Sequence, residues 1–346
     1  MVRVGIIGLG RMGMLHLMNC LKIDNVEVVA VADSSKRALK KAKSLHINNV
    51  YTDFHDLLNH SSDLDAVILS LPNFMHFESI RLALEAGLNV FAEKPMAISV
   101  QDCREIVRLV DKSGRKLMVG HAARFMEVVE KMKQSMNTGI IGDVEVATIE
   151  EVMNGPFAHP RVPAPVADWW FDINKAGGGA LLDIGYHMID LFRFFAGDSE
   201  VLYSHLIHRY NLPVEDGAIL VLQSGSSTKG IVNVGWYQQT IFPKFNFRVL
   251  LHGTAGYLSS DNFVPGNLYS HAVKEGAKNI ARRMVGRRIR FLYYTYYYEC
   301  FYKEMVSFFD CIRKDSEPPV SAIDGLKTVE IIEQAYKKSG MNQALS

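Results

Sequence analysis

The chain carries little that would staple, anchor or polarise it. Its four cysteines (Cys20, Cys103, Cys300, Cys311) lie far apart and make no CxxC pair, which fits a reducing cytoplasm rather than a disulfide framework. Lys and Arg number 38 against 37 Asp and Glu, so a formal net charge of +1 gives no global attraction to nucleic acid or membrane. No apolar run approaches the roughly 20 residues of a membrane span. A strand-like segment opening at Val2 leaves no room for a signal peptide, so the expected location is cytoplasmic. Internal repeats and low-complexity tracts are missing. No GxSxG follows a strand, which disfavours a serine hydrolase.

What is present reads as two domains. The 346 residues are 48% hydrophobic and 22% charged, an ordinary globular composition at a length that fits two cores. Residues 1–121 alternate continuous apolar runs (Val2–Ile7, Val26–Ala32, Ala66–Leu71, Asn89–Ala92, Lys116–Gly120) with amphipathic stretches (Met12–Ile23, Ser34–His46, Phe74–Ala86, Val100–Ser113). Strands apolar on both faces between helices predict a parallel, doubly wound α/β sheet, a Rossmann domain. Residues 122–346 differ. A helix over Phe125–Thr138 leads to a strand, Val144–Met153, then a polar loop, Asn154–Asp168, and a glycine-opened helix over Gly177–Phe195. The strands that follow (Val201–Tyr210, Ala218–Gln223, Gly230–Tyr237, Phe245–His252) have no long helix between them, so an antiparallel sheet in an α+β domain is expected. Two tail helices, Tyr298–Arg313 and Ser321–Lys338, flank Pro318-Pro319, and the last is a candidate to pack back on the first domain.

Gly8-Leu9-Gly10-Arg11-Met12-Gly13 ends the first strand and opens the first helix. In that setting Gly8 permits a tight turn, Gly10 lets a pyrophosphate approach, and Gly13 lets helix pack on strand. The helix N-terminus supplies unpaired N–H groups to phosphates. Asp33 closes the second strand about 20 residues on, where a carboxylate binds the adenosine ribose. It would repel a 2′-phosphate, which favours NAD; NADP stays open because Lys36 and Arg37 could bind that phosphate if Asp33 turned away.

Ligands in open parallel sheets bind at the carboxyl ends of strands. Two such ends are Ser70-Leu71-Pro72-Asn73, with His76 one turn on, and Glu93-Lys94-Pro95. Pro95 biases Lys94 away from helix, at the mouth of the crevice. There it could stabilise developing alkoxide charge. In the glycine-opened helix Asp183 and His187 are four apart and share a face that Asp190 continues. His187 suits removal of an alcohol proton; Asp183 could orient it or bind a substrate hydroxyl. No metal site is expected, because no third ligand stands at recognisable spacing.

These segments together resemble the Gfo/Idh/MocA oxidoreductases, named for glucose-fructose oxidoreductase and inositol dehydrogenase. The marks are GIIGLGRMG (Gly5–Gly13), LPNFMH (Leu71–His76), Glu93-Lys94-Pro95, Gly120–Phe125 and GGGALLDIGYHMIDL (Gly177–Leu191). The resemblance implies a second domain built on a large, open, mostly antiparallel sheet that makes homodimer or homotetramer contacts. It implies hydride transfer between a nicotinamide and a carbinol or keto carbon of a sugar or cyclitol. Lys94, Asp183 and His187 would be catalytic, with His187 the proton acceptor. Cofactor contacts are expected at Gly8, Leu9, Gly10, Arg11, Met12, Gly13, Asp33, Ser34, Arg37, Ser70, Leu71, Pro72, Asn73, His76, Glu93 and Lys94. Substrate contacts are expected at Lys94, Arg124, Asn154, Trp169, Trp170, Asp183, Tyr186 and His187.

Lys274–Tyr302 stands apart. Lys274, Lys278, Arg282, Arg283, Arg287, Arg288 and Arg290 precede a run dense in tyrosine and phenylalanine. Such a segment binds an anionic substrate, for example a nucleotide sugar, or lies on an acidic membrane. The plainer reading is a solvated basic connector followed by an aromatic strand or interface strip. Three functions therefore compete: a sugar or cyclitol dehydrogenase, a UDP-sugar dehydrogenase or reductase, and a non-catalytic NAD-binding regulator.

Overall fold

The computed structural model describes residues 1–156, 166–236, 247–263, 268–286 and 295–340. The first sheet has six parallel strands: β1 (Val2–Ile7), β2 (Val26–Ala32), β3 (Asn49–Tyr51), β4 (Ala66–Leu69), β5 (Asn89–Ala92) and β6 (Leu117–Val119). Their order is β3-β2-β1-β4-β5-β6. The direction of winding reverses between β1 and β4, which opens a crevice above their carboxyl ends. Helices α1 (Arg11–Cys20), α2 (Lys36–Ser44), α3 (Phe54–Asn59), α4 (His76–Glu85) and α5 (Val100–Ser113) connect the strands. Every residue of β4 and β5 is buried, which is why these runs are apolar except at Asn89, whose side chain pairs with backbone at Asp65 and Lys116. The short pair β3 and α3 has no counterpart in the sequence reading, because a three-residue strand carries too few side chains to show a period.

The second sheet collects β7 (Val144–Val152), β8 (Ser199–Ile207), β9 (Gly217–Ser224), β10 (Thr228–Gly235), β11 (Phe247–Gly253) and β12 (Gly256–Ser259) in the order β12-β11-β7-β10-β9-β8. Only the β7–β10 pair is parallel; the others are antiparallel. Beside the sheet run α6 (Glu127–Asn137), the short α7 (Ile173–Ala176) and α8 (Tyr186–Ala196), with α8 packed on β7 and β10. Alternate residues of each strand face this helical layer: Ala147 and Ile149, Leu220 and Leu222, Val232 and Val234, Val249 and Leu251 are all buried. A Cβ at Gly230 would stand 2.3 Å from the Phe192 ring, so this glycine lets α8 lie close on the sheet.

The tail returns to the first domain. Helices α9 (Leu268–Met284), α10 (Thr295–Lys314) and α11 (Ala322–Lys338) complete the chain; α10 packs on α1, and α11 bridges α5, β6 and β8. Ser321 and Asp324 form a reciprocal capping box at the start of α11. Two expectations need correction here. The basic stretch is no connector, since residues 268–284 form a helix, and the aromatic run is helical from Thr295 rather than a strand. Arg287, Arg288 and Arg290 lie outside the described residues. All four cysteines are buried thiols. Among the described residues no helix is long and apolar enough to cross a membrane.

Candidate active site

The glycine turn fits a dinucleotide at each of its three positions. Gly8 has φ +85°, and a Cβ there would stand 2.3 Å from the Ser70 carbonyl oxygen. At Gly13 a Cβ would come within 1.8 Å of the Gly8 carbonyl oxygen, so only glycine lets α1 seat against β1. Above Gly10 nothing lies within 4 Å of such an atom, which leaves the space a pyrophosphate needs. No side chain caps the α1 N-terminus and no acid stands in its first turn, so its dipole and N–H groups face that space. Asp33 accepts from the backbone N–H of Leu9 at 2.5 Å and of Ser35 at 2.7 Å, placing its carboxylate beside the turn. Ser34, Lys36 and Arg37 are exposed around it. Arg11 donates to the Tyr298 hydroxyl at 3.3 Å, while Met12 is half-buried.

Across the crevice mouth lies the segment Ser70 to His76. The His76 ring sits between two carbonyl oxygens, with Nδ1 2.6 Å from Pro95 O and Nε2 2.9 Å from Leu71 O. It thereby fixes the Leu71-Pro72 turn against the strand end that bears Lys94. Asn73 reaches the second domain, donating from Nδ2 to Ala176 O at 2.8 Å. Below them Glu93 Oε1 accepts from His16 Nε2 at 2.6 Å. Glu304 of α10 completes this group, whose ligand atoms lie within 4.8 Å of one another. The sequence offers no metal-ligand spacing, and these three come together only through the fold. Burial, aided by the Glu93 charge, pushes the Glu304 carboxyl well above its ordinary value, so it stays protonated beneath the site.

Lys94 crosses to the second domain. Its Nζ donates to Asp183 Oδ1 at 2.6 Å and to the Asp183 carbonyl oxygen at 2.9 Å. Asp183 lies in a π-helical turn, Leu181–Gly185, that precedes α8. The second carboxylate oxygen accepts from Trp236 Nε1 at 3.1 Å. Sharing a helix face therefore does not give Asp183 to His187: lysine and tryptophan hold the carboxylate instead. His187 is half-buried, its Nδ1 has no hydrogen-bond partner, and its ring meets His121 edge-on at 5.7 Å. Burial first, then the Lys94 charge, lowers its pKa well below the ordinary imidazole value, so the ring is neutral and able to accept a proton.

The glycine block is shaped by backbone rather than by ligand. A Cβ at Gly179 would meet Glu215 O at 1.9 Å, and one at Gly178 would meet the Tyr336 hydroxyl at 2.0 Å. Glu215 Oε1 accepts from the N–H groups of Gly179 and Leu181 and from Tyr336, so one buried carboxyl anchors the π turn.

The aromatic wall is longer than the sequence indicates. Phe74, Trp169, Trp170 and Trp236 follow one another with ring separations of 6.3, 5.6 and 6.2 Å, ending at Asp183. Asn154 stands beside Gly155, which packs on the Trp236 ring. Two expected substrate contacts are engaged elsewhere. Arg124 forms a bidentate pair with Asp190 (2.7 and 2.5 Å) and also reaches Asp324 and Pro319 O, tying the segment after β6 to α8 and to the start of α11. This also removes Asp190 from the reactive face. Tyr186 is fully buried, stacked on His121 at 4.7 Å, with its hydroxyl accepting from Met96 N–H at 3.4 Å.

Spacing along the chain could not reveal Trp236, Glu215 or Glu151. Glu151, one residue before the end of β7, is on the core-facing parity of Ala147 and Ile149, and that parity is the one signal available. Burial, reinforced by the Asp183 charge, pushes its carboxyl up to about 7.

Two family models match successive parts of the chain. Residues 2–121 match the model of the Gfo/Idh/MocA oxidoreductase family, NAD-binding Rossmann fold, and residues 129–259 match the Gfo/Idh/MocA C-terminal domain. Myo-inositol 2-dehydrogenase of Thermotoga maritima is 26% identical over 349 residues, spanning 98% of this chain and 96% of that protein. The 1,5-anhydro-D-fructose reductase of Ensifer adhaerens is 30% identical over 268 residues, 76% of each. Among solved structures, scyllo-inositol dehydrogenase from Lactobacillus casei with bound NAD(H) and scyllo-inositol superposes with a TM-score of 0.78 at 22% identity, covering 99% of this chain and 97% of that one.

Proposed function

The chain belongs to the Gfo/Idh/MocA oxidoreductase family, and from that premise we propose that it transfers a hydride between NAD and a carbinol or keto carbon of a sugar or cyclitol. The observation that carries the reading is the Lys94–Asp183 contact across the crevice, with neutral His187 four residues on from Asp183, in the first turn of α8. Bound NAD supplies the hydride acceptor or donor. Lys94 donates to the substrate oxygen and stabilises charge as it develops there. His187 takes the hydroxyl proton during oxidation and returns it during reduction. Asp183, held by Trp236, keeps the ammonium aimed into the crevice. Trp169 and Trp170 offer flat apolar faces to one side of a ring. Relatives named for inositol dehydrogenation and anhydrofructose reduction support both the substrate class and the choice of chemistry.

The same reading extends to setting and assembly. Four buried thiols support a cytoplasmic site of action. The sheet face turned away from α8 exposes Ile219 and Ile231, which supports a homodimer or homotetramer formed through that face. Sedimentation should then give a discrete dimer or tetramer; a monomer at micromolar concentration would refute it.

The test is a screen of purified protein against sugars, cyclitols, sugar acids and UDP-sugars with NAD and NADP in parallel, following reduced nicotinamide. Turnover of a free polyol with NAD is expected. Turnover of UDP-sugars alone, with KM raised by charge reversal at Arg287 and Arg288, would move the substrate to the nucleotide sugars. Tight NAD binding without turnover of any of them would leave a regulator.

A further inference from the structure

One side of helix α9 carries Glu275 and Asn279, both of low exposure, joined by Arg282, whose Nη1 donates to Glu275 Oε2 and Asn279 Oδ1 at 2.8 Å each. Lys278 also donates to Glu275 Oε1 at 2.8 Å. The outward side is apolar: Val273 is 74% exposed, Ile280 67% and Met284 83%, and Val285 follows at 68%. Apart from Met1, these are the four most exposed large apolar side chains among the described residues, and all fall within one segment. Scattered exposed apolar residues are ordinary; three on one helix and a fourth just past its end mark a surface that something covers.

The helix geometry and charge say what covers it. At 100° per residue, Val273, Ala277, Ile280 and Met284 form a single stripe, with exposed Lys274 and Lys278 along one border and exposed Arg283 along the other. An apolar stripe bordered by cations is the pattern of a helix lying in the plane of an anionic membrane surface, its stripe among the acyl chains and its bases at the headgroups. The sequence from 268 to 290 carries Glu275 as its sole acid, against two lysines and five arginines. Apposing two copies through this helix would set like charge against like charge, whereas an anionic bilayer complements it.

We propose that α9 docks this protein on the surface of an anionic lipid bilayer, without spanning it. The claim concerns attachment and does not depend on which substrate is oxidised.

The full-length protein should float with vesicles of phosphatidylcholine and phosphatidylglycerol at low salt, remain behind with phosphatidylcholine alone, and be released as salt rises. The double variant Ile280→Glu and Met284→Glu should lose binding by about tenfold or more while keeping its melting temperature and NAD affinity. A second variant, Lys274→Glu with Arg283→Glu, keeps the stripe intact and should also bind less. Failure of the wild type to float with anionic vesicles, or flotation of the stripe variant at the wild-type level, would overturn the proposal. A wild-type oligomer that the stripe variant breaks into smaller species would assign the face to a second copy instead, and would equally overturn it.

Discussion

Lys94 Nζ stands 2.6 Å from Asp183 Oδ1, and the two residues come from opposite domains. The strand end that bears the lysine is braced by His76, and the π turn that bears the aspartate is braced by Glu215. Each partner is thus set by its own domain before they meet. Trp236 then holds the other carboxylate oxygen. Trp236→Phe keeps most of the ring volume but removes that N–H. A hydrogen bond to a charged group contributes about 1.5–3 kcal/mol, so kcat should fall about tenfold or more while NAD affinity is unchanged. Steady-state kinetics with NAD titration checks this; an unchanged kcat would show that Lys94 alone positions Asp183.

The glycine turn separates folding from binding. A methyl at Gly13 would press on Gly8 O at 1.8 Å, whereas a methyl at Gly10 meets nothing within 4 Å. Gly13→Ala should lower stability by about 1–3 kcal/mol, as overpacking does. Gly10→Ala should melt like wild type yet bind NAD about tenfold more weakly, because its methyl enters the pyrophosphate space. Thermal melts beside NAD titrations distinguish the two; equal melting losses would be inconsistent with this geometry.

The proposed cofactor site assigns the choice between the two nicotinamide cofactors to Asp33. Its carboxylate is fixed beside Leu9 N–H, with Lys36 and Arg37 exposed nearby. Asp33→Ala removes the repulsion and leaves the two cations to meet a 2′-phosphate. The ratio of kcat/KM for NAD over NADP should drop on the order of tenfold. A ratio that does not move would place the discrimination elsewhere.

A buried carboxyl makes stability depend on pH in an unusual direction. Burial raises Glu215 from 4.5 to about 7, against the opposing hydrogen bonds from Tyr336 and the backbone N–H groups. The folded chain therefore holds a proton that the unfolded chain releases near 4.5. This contribution is full below the unfolded value and is lost as pH rises through about 7. Glu151 is shifted in the same direction. Glu215→Gln should flatten the decline in denaturation free energy between about pH 4.5 and 7, by up to about 3 kcal/mol. Parallel curves for variant and wild type would show that Glu215 titrates normally.

Much of the Rossmann half was legible because buried strands leave continuous apolar runs: β1, β2 and β5 begin and end where those runs do. The half-buried strands of the second sheet shifted by one to three residues, since their ends carry exposed polar side chains. The basic amphipathic character around Lys274–Arg290 was legible, but the helix over 268–284 was not delimited, because a basic run that could equally be a solvated connector marks no helix ends. At the site, Lys94, Asp183 and His187 were legible as motif positions. Their pairing was not: a period of 3.6 joins Asp183 to His187, while the π turn and the domain crossing give the carboxylate to Lys94 and Trp236. Arg124 shows the converse, since a cation on a promising segment forms a buried bond to Asp190 that sequence spacing cannot reveal.

The central claim is that Lys94 acts on substrate at a working hydride-transfer site. It is tested by turnover of Lys94→Ala on a substrate found in the screen, with NAD affinity measured on the same protein. Turnover should fall about 10²–10⁴-fold with NAD affinity held within about twofold of wild type. Wild-type turnover in the variant, or a loss explained wholly by failure to bind NAD, would contradict it.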